Sequence, residues 1–223
     1  MDVIETIKSR KSIRAYKSEP VPRETLEKVL EVARWAASAD NSQPWEVAIV
    51  SGKHLADLKR TLEAKILVME EFKSDIPFPF PNYPPLYTKR GKDNGKRLFE
   101  CLGIPRGDID KRIQWTQQMI RFFDAPVAMI LYVERALGDY AILDAGMFLQ
   151  NFMLACNEYG LGTCAEMGVV FYPDVLRSML NISESKLIIC GLAIGYKDEN
   201  APINKFRSLR EPVESFAAWH GFD

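Results

Sequence analysis

The sequence predicts one domain in which helices pack on a small set of buried strands, and three observations predict it. Residues 127–133 and 186–196 are nearly unbroken apolar runs rich in strand formers, as expected of strands covered on both faces. Several other segments repeat apolar residues at helical spacing. The segment 139–159 is apolar around most of its circumference, and a helix of that kind must be buried on more than one side. It is therefore a central helix, a dimer interface, or both.

In chain order, Val3, Ile4 and Ile7 mark a short first helix that runs into Ser9-Arg10-Lys11-Ser12-Ile13-Arg14. After Glu19-Pro20-Val21-Pro22, the stripe Leu26, Val29, Leu30, Ala33 and Ala37 predicts a helix over 22–37, with Pro22 suited to its first turn. The polar loop Ser38-Ala39-Asp40-Asn41-Ser42-Gln43-Pro44 leads into a strand over 45–50. Ser51-Gly52 turns the chain, and Leu55, Leu58, Leu62, Ile66 and Met69 predict another amphipathic helix. Residues 74–90 change abruptly to prolines and aromatics, including Phe78-Pro79-Phe80-Pro81, and predict irregular backbone because proline cannot donate to a helix or ladder. Short helical patterns follow around Leu98 and over 108–123, and Ala125-Pro126 closes this excursion before the strand at 127–133. Gly160-Leu161-Gly162 stops the apolar helix, 163–168 reads as extended, 173–180 as helix and 186–196 as strand. The remainder is basic at Lys205, Arg207 and Arg210 and aromatic at Phe216, Trp219 and Phe222, an arm that needs a surface to lie on.

The chain has 223 residues, enough to bury a substantial core. Lys+Arg 29 against Asp+Glu 30 gives a formal net charge of -1, so no global field steers the protein to nucleic acid or an anionic membrane. Any anion recognition must be local. The N-terminal residues are charged and periodic, which predicts no signal peptide, and no apolar run approaches a membrane span. The cysteines Cys101, Cys156, Cys164 and Cys190 form no CxxC pair and read as reduced thiols of a cytoplasmic protein. With His54 and His220 as the only histidines, a metal site or a Ser-His-Asp triad has little to build on.

The basic cluster at 9–14 suits a phosphate, because Arg10 and Arg14 can fork onto its oxygens while Lys11 adds a point charge and Ser12 a hydroxyl donor. Together with Asn41-x-Gln43-Pro44-Trp45, the segment 162–168 and Lys205-x-Arg207, it resembles the FMN-dependent nitroreductase family. The resemblance covers nearly the whole chain, departs mainly over about 74–125, and looks like the nitroaromatic-reducing branch in its Tyr-Pro-rich insert. It implies an α+β fold with a central, mostly antiparallel sheet flanked by helices. It also implies an intertwined homodimer with an extended C-terminal arm and FMN at the subunit interface. By matching motifs, Arg10, Lys11, Ser12 and Arg14 would hold the ribityl phosphate and pyrimidine end, with Lys205 and Arg207 completing the phosphate cage. Ser38, Asn41 and Gln43 would be polar flavin contacts. Met167 and Gly168 would present backbone amides to flavin N5, where glycine permits close approach.

The implied activity is transfer of hydride from NADH or NADPH to FMN and then, in ping-pong fashion, to a nitroaromatic, quinone or similar small aromatic acceptor. No catalytic side chain is required, since the flavin carries the chemistry. The excursion at about 74–125 is the expected lid, with Tyr83, Tyr87, Trp115 and Phe123 as stacking candidates and Arg90 as partner for a nitro or carboxylate group. Ordinary packing under a long loop is the competing reading for each of these. The same scaffold would also suit a dehalogenase, a dehydrogenase or a non-catalytic flavin-binding dimer. One departure stands out: family members often carry an acidic residue just before the glycine, whereas Met167 stands there and Glu166 lies one place earlier.

Overall fold

The computed structural model describes residues 2–68, 71, 73–77 and 82–222. Its centre is a four-stranded antiparallel sheet in the order β1-β2-β4-β3, formed by β1 (Trp45–Ser51), β2 (Val127–Glu134), β3 (Leu161–Glu166) and β4 (Lys186–Tyr196). Around it lie α1 (Val3–Ser9), α2 (Arg23–Ala33), α3 (Gly52–Leu67), α4 (Pro85–Cys101), α5 (Ile109–Ile120), α6 (Asp139–Glu158) and α7 (Pro173–Leu180). This is the α+β architecture expected.

Successive side chains of β2 point to opposite faces, and both faces are covered. Ala128 and Ile130 join Leu55, Leu58 and Leu62 of α3, Trp115 and Ile120 of α5, and Val175 and Leu176 of α7. Met129, Leu131 and Val133 join Leu26, Val29 and Ala33 of α2 and Ala141, Ala145, Phe148 and Phe152 of α6. Two cores, one per face, explain why an antiparallel strand reads as an unbroken apolar run. Helix α6 lies along the second core, yet Tyr140 and Leu143 on its other side are exposed in the single chain.

The segment after α1 lies along the free edge of β3 and then reaches the end of β4. Ser12 bridges Thr163 in parallel, Ile13 N donates to Thr163 O (2.9 Å), and Lys17 N donates to Tyr196 O (2.9 Å). Gly162 makes this approach possible, since a Cβ there would stand 2.7 Å from Ile13 Cγ1. The pairing satisfies an otherwise open strand edge and carries the cations at 10–14 with it.

Four elements differ from expectation. Strand β3 runs over Leu161–Glu166 instead of 163–168, and α5 ends at Ile120 instead of 123. Regular structure begins at Pro85, inside the stretch expected to be irregular, because proline at the first helical position loses no hydrogen bond and has the required φ. From there α4 runs unbroken to Cys101, longer than the short pattern around Leu98. Helix α2 ends at Ala33, short of the expected 37, and Trp35 and Ala37 are exposed. Of the sequence readings above, Met69 as the last apolar position of α3 and the run Phe78-Pro79-Phe80-Pro81 lie outside the described residues.

Candidate functional site

A cavity of about 430 Å³ opens where the chain leaving α1, helix α4 and the C-terminal tail meet. Its wall contains Lys8, Arg10, Lys11, Arg14, Arg207 and Arg210, with Ser12, Asn94 and Gln150 adding polar groups, and no carboxylate stands among its lining residues. Burial and then the charges of Arg210 and Arg207 push the Arg10 guanidinium below its ordinary value, against a smaller opposing influence of Cys164. Burial, Lys197 and Arg207 do the same to Lys11. Cations that disfavour one another's charge, with hydroxyl and amide donors between them, are the donor set a multiply charged phosphate requires.

The two distant pieces of this wall are joined by Asn204, which is buried in the tail. Its Oδ1 accepts Arg14 N (2.9 Å), its Nδ2 donates to Ala15 O (2.7 Å) and Asp198 O (2.8 Å), and its carbonyl accepts Lys11 Nζ. Arg97 of α4 donates to Arg207 O (3.3 Å) and lies over the Phe206 ring (5.7 Å). A basic tail that sequence alone leaves floating is thus tied to the N-terminal cations and to α4.

Arg14 connects the cavity to the end of β3. Its guanidinium lies over the Phe123 ring at 5.9 Å and its charge acts on both Cys164 and Glu166. Glu166 is 2% exposed, and burial drives its carboxyl up to about 7 against the lowering influences of a hydrogen bond with Cys164 and of Arg14. Burial likewise pushes the Cys164 thiol well above its ordinary range, so this cysteine is packed and unreactive. Immediately beyond, Met167 is 39% exposed whereas Gly168 is buried, and a Cβ on Gly168 would stand 2.9 Å from Ile120 Cδ1.

The loop before β1 carries Ser38, Asn41 and Gln43. Asp40, Asn41 and Gln43 all take left-handed backbone conformations, with φ of 51°, 54° and 49°. Ser38 Oγ accepts Gln43 N (3.0 Å), Gln43 Nε2 donates to Asn41 O (3.1 Å), and Asp144 of α6 accepts Ala39 N (3.1 Å). The side chains of Asn41 and Gln43 remain exposed.

Of the expected site residues, Arg10, Lys11, Ser12, Arg14 and Arg207 come together in one wall; Lys205, in the Pro202–Lys205 turn, is exposed and outside that lining. Trp115 and Phe123 are buried in the core, their rings 5.3 Å apart, instead of presenting open stacking faces. Tyr83 and Tyr87 are exposed, while Arg90 lies over the Tyr87 ring (5.6 Å) and pairs with Glu211 (3.4 Å). Sequence reasoning did not assign Lys8, Arg210, Asn94, Gln150, Asn204 or Asp144. Only Arg210 left a signal, as the third cation of the basic tail. Among the described residues, no cluster of His, Cys, Asp or Glu could hold a metal ion, and no helix is long and apolar enough to cross a membrane.

A profile of the Nitroreductase family matches residues 7–196. The chain is 30% identical over 219 residues to the 4-nitrobenzoate reductase of Pseudomonas putida, covering 97% of this chain and 95% of that protein. It is 32% identical over 215 residues to the nitrobenzene nitroreductase of Ectopseudomonas oleovorans, covering 96% of this chain and 94% of that one. The solved structure of the FMN and NADPH-dependent nitroreductase NfnB from sphigopyxis sp. strain HMH matches with a TM-score of 0.96 at 32% identity, covering 100% of both chains. On this agreement of sequence and fold, the chain belongs to the nitroreductase family.

Proposed function

We propose that this protein is an FMN-dependent NAD(P)H oxidoreductase that reduces nitroaromatics, quinones or similar small electron-poor aromatics. We further propose that it acts as a homodimer with the flavin at the subunit interface. The single observation that carries the reading is the cation wall without a carboxylate, continuous through Arg14 with the end of β3, in a chain of this family. Arg10, Lys11, Ser12, Arg14 and Arg207 hold the phosphate and the pyrimidine end, Arg210 adds a further cation, and Lys205 adds charge from just outside the wall. Ser38, Asn41 and Gln43 supply amide and hydroxyl contacts to the mixed donor and acceptor edge of the ring. Met167 and Gly168 offer backbone N–H groups, which need no acidic side chain at position 167. When bound, FMN supplies the hydride acceptor and the electron sink. The protein's part is to orient the ring, to keep positive charge beside it and to exclude competing reactions.

The lid over about 74–125 belongs to the same domain in this reading and covers the acceptor site, with Tyr83 and Tyr87 as its exposed aromatics. Arg90, already paired with Glu211, steadies the lid rather than waiting free for substrate. Four free cysteines accord with a cytoplasmic setting. The dimer is supported by exposed apolar side chains at Val3, Ile4 and Ile7 of α1 and Leu143 of α6, and by an apolar groove lined by Trp35, Ile142, Leu143 and Met147.

The test is an absorbance spectrum of the freshly purified protein, followed by anaerobic NADPH or NADH and then a nitroaromatic. Flavin bands that bleach with the nucleotide and return with the nitroaromatic are expected. A colourless protein that refuses added FMN overturns the cofactor assignment, and flavin left oxidised by both nucleotides overturns the proposed reductant.

A further inference from the structure

The loop at 38–43 combines exposure with an unusual conformation. Three of its residues that carry a Cβ, Asp40, Asn41 and Gln43, are left-handed. Left-handed backbone is uncommon for residues that carry a Cβ, less so for Asp and Asn than for Gln. Two groups on α6 hold the chain on either side of these residues. Asp144 is 3% exposed, and its Oδ2 accepts the Ala39 N–H at 3.1 Å. One helical turn later, on the same face, Phe148 stacks on Trp45 with ring centroids 5.2 Å apart and planes 14° from parallel. One helix thereby grips the loop at its beginning and just beyond its end. Inside the grip, Asn41 N donates to Ser38 O (3.1 Å), Ser42 N to Ala39 O (2.9 Å) and Gln43 N to Ser38 Oγ (3.0 Å). Every one of these contacts is made within the chain.

We propose that Asp144 is a positioning residue, which fixes the loop from the buried face of α6 so that the Asn41 and Gln43 amides are preset for flavin before it binds. The assignment of those amides to flavin rests on the function proposed above; the clamp itself rests on the contacts just given. A buried carboxyl group suits this task, because its oxygen accepts a backbone N–H of the loop from the helix the loop packs on. Presetting matters because a loop that must be ordered by its ligand gives up affinity to do so.

The experiment has two arms on the full-length protein. In the first, amide hydrogen exchange is followed over 38–44 in wild-type protein stripped of FMN. The Ala39, Asn41, Ser42 and Gln43 amides should exchange roughly tenfold or more slowly than in an unstructured chain. Exchange at the unstructured rate until FMN is added would mean that ligand, not Asp144, orders the loop, and the proposal fails. In the second arm, FMN affinity and the visible circular dichroism of the bound flavin are compared for wild type, Asp144→Ala and Asp144→Asn, well below each variant's melting temperature. Asp144→Ala should raise the FMN dissociation constant roughly tenfold and alter the dichroism, and Asp144→Asn, which keeps an acceptor oxygen, should restore both. Wild-type affinity and dichroism in folded Asp144→Ala would overturn the positioning role. Should Asp144→Ala not fold, the first arm decides alone. Wild-type protein that never binds FMN fails the functional reading, while the exchange arm still judges the clamp.

Discussion

Glu166 shares its buried environment with Arg14, Tyr16, Cys164 and Cys190, and only Arg14 among them carries a positive charge to stabilise an ionised carboxylate. Its folded value of about 7 lies above the ordinary carboxylate range, so the native state holds a proton that the unfolded chain releases at lower pH. Stability from this group is full below the unfolded value and is lost as pH rises to about 7. Glu166→Gln should abolish that loss. Urea unfolding of wild type and variant in the same cofactor state, from pH 4.5 to 8, should show the variant gaining on wild type by up to roughly 1.4 kcal/mol per pH unit inside the window. Parallel curves would mean that the carboxyl is ionised in the fold. Arg10 makes a second prediction at this scale. Arg10→Ala and Arg207→Ala should each weaken FMN binding by about 1.5 to 3 kcal/mol, the range for a charge-assisted hydrogen bond, and full flavin loading of both purified variants would remove the phosphate assignment. The cations at 10–14 were legible because charge density is a local property of sequence. Asn204 and Asp144 were not, because their partners lie far along the chain: Asn204 bonds Arg14 and Asp144 bonds Ala39.

At the scale of elements, legibility followed the period of burial. Strands β1, β2 and β4 and helix α7 fall on or within one residue of their expected bounds: β2 and β4 as apolar runs buried on both faces, β1 as a run of strand formers behind Pro44, and α7 by its helical repeat behind Pro173. The α4 region was read poorly for an opposite reason. Its helix carries many charged residues, and among its described residues only Leu98 is buried, so its pattern is mainly one of helix formers behind Pro85. The aromatics of the excursion divide by the same logic. Trp115 and Phe123 lie on or just beyond α5, which packs against α3, and are drawn into the core, whereas Tyr83 and Tyr87 flank the start of α4 and remain exposed. Side-chain type alone gave no way to separate the two pairs. The loop at 38–43 shows a further limit: its polar composition announced a loop, and Asp and Asn tolerate left-handed backbone, but the α6 groups that hold it, Asp144 and Phe148, lie far along the chain.

For the whole molecule, the question is what covers the apolar surface that one chain leaves open. Trp35 is 79% exposed and Trp219 66% exposed, and Leu143 and Tyr140 stand out from the side of α6 away from the sheet. A tail that carries Phe216, Trp219 and Phe222 outward, with Trp219 and Phe222 packed edge to face at 5.3 Å, has little of this chain beneath it. Soluble monomers rarely expose contiguous apolar area beyond a few hundred Å². The proposed homodimer would resolve both features at once, were it to seat α6 against its counterpart and give each arm a partner to wrap. The groove lined by Trp35, Leu143 and Met147 shares Gln150 with the cation cavity, so the surface a partner would cover runs up to the proposed flavin site. Two consequences can be measured together. Sedimentation velocity should give a dimer, and graded dissociation by dilution or mild denaturant should release FMN in step with the loss of dimer, because half-sites hold flavin poorly. A monomer that retains FMN, or a dimer that loses it long before it dissociates, would show that each chain binds its flavin alone.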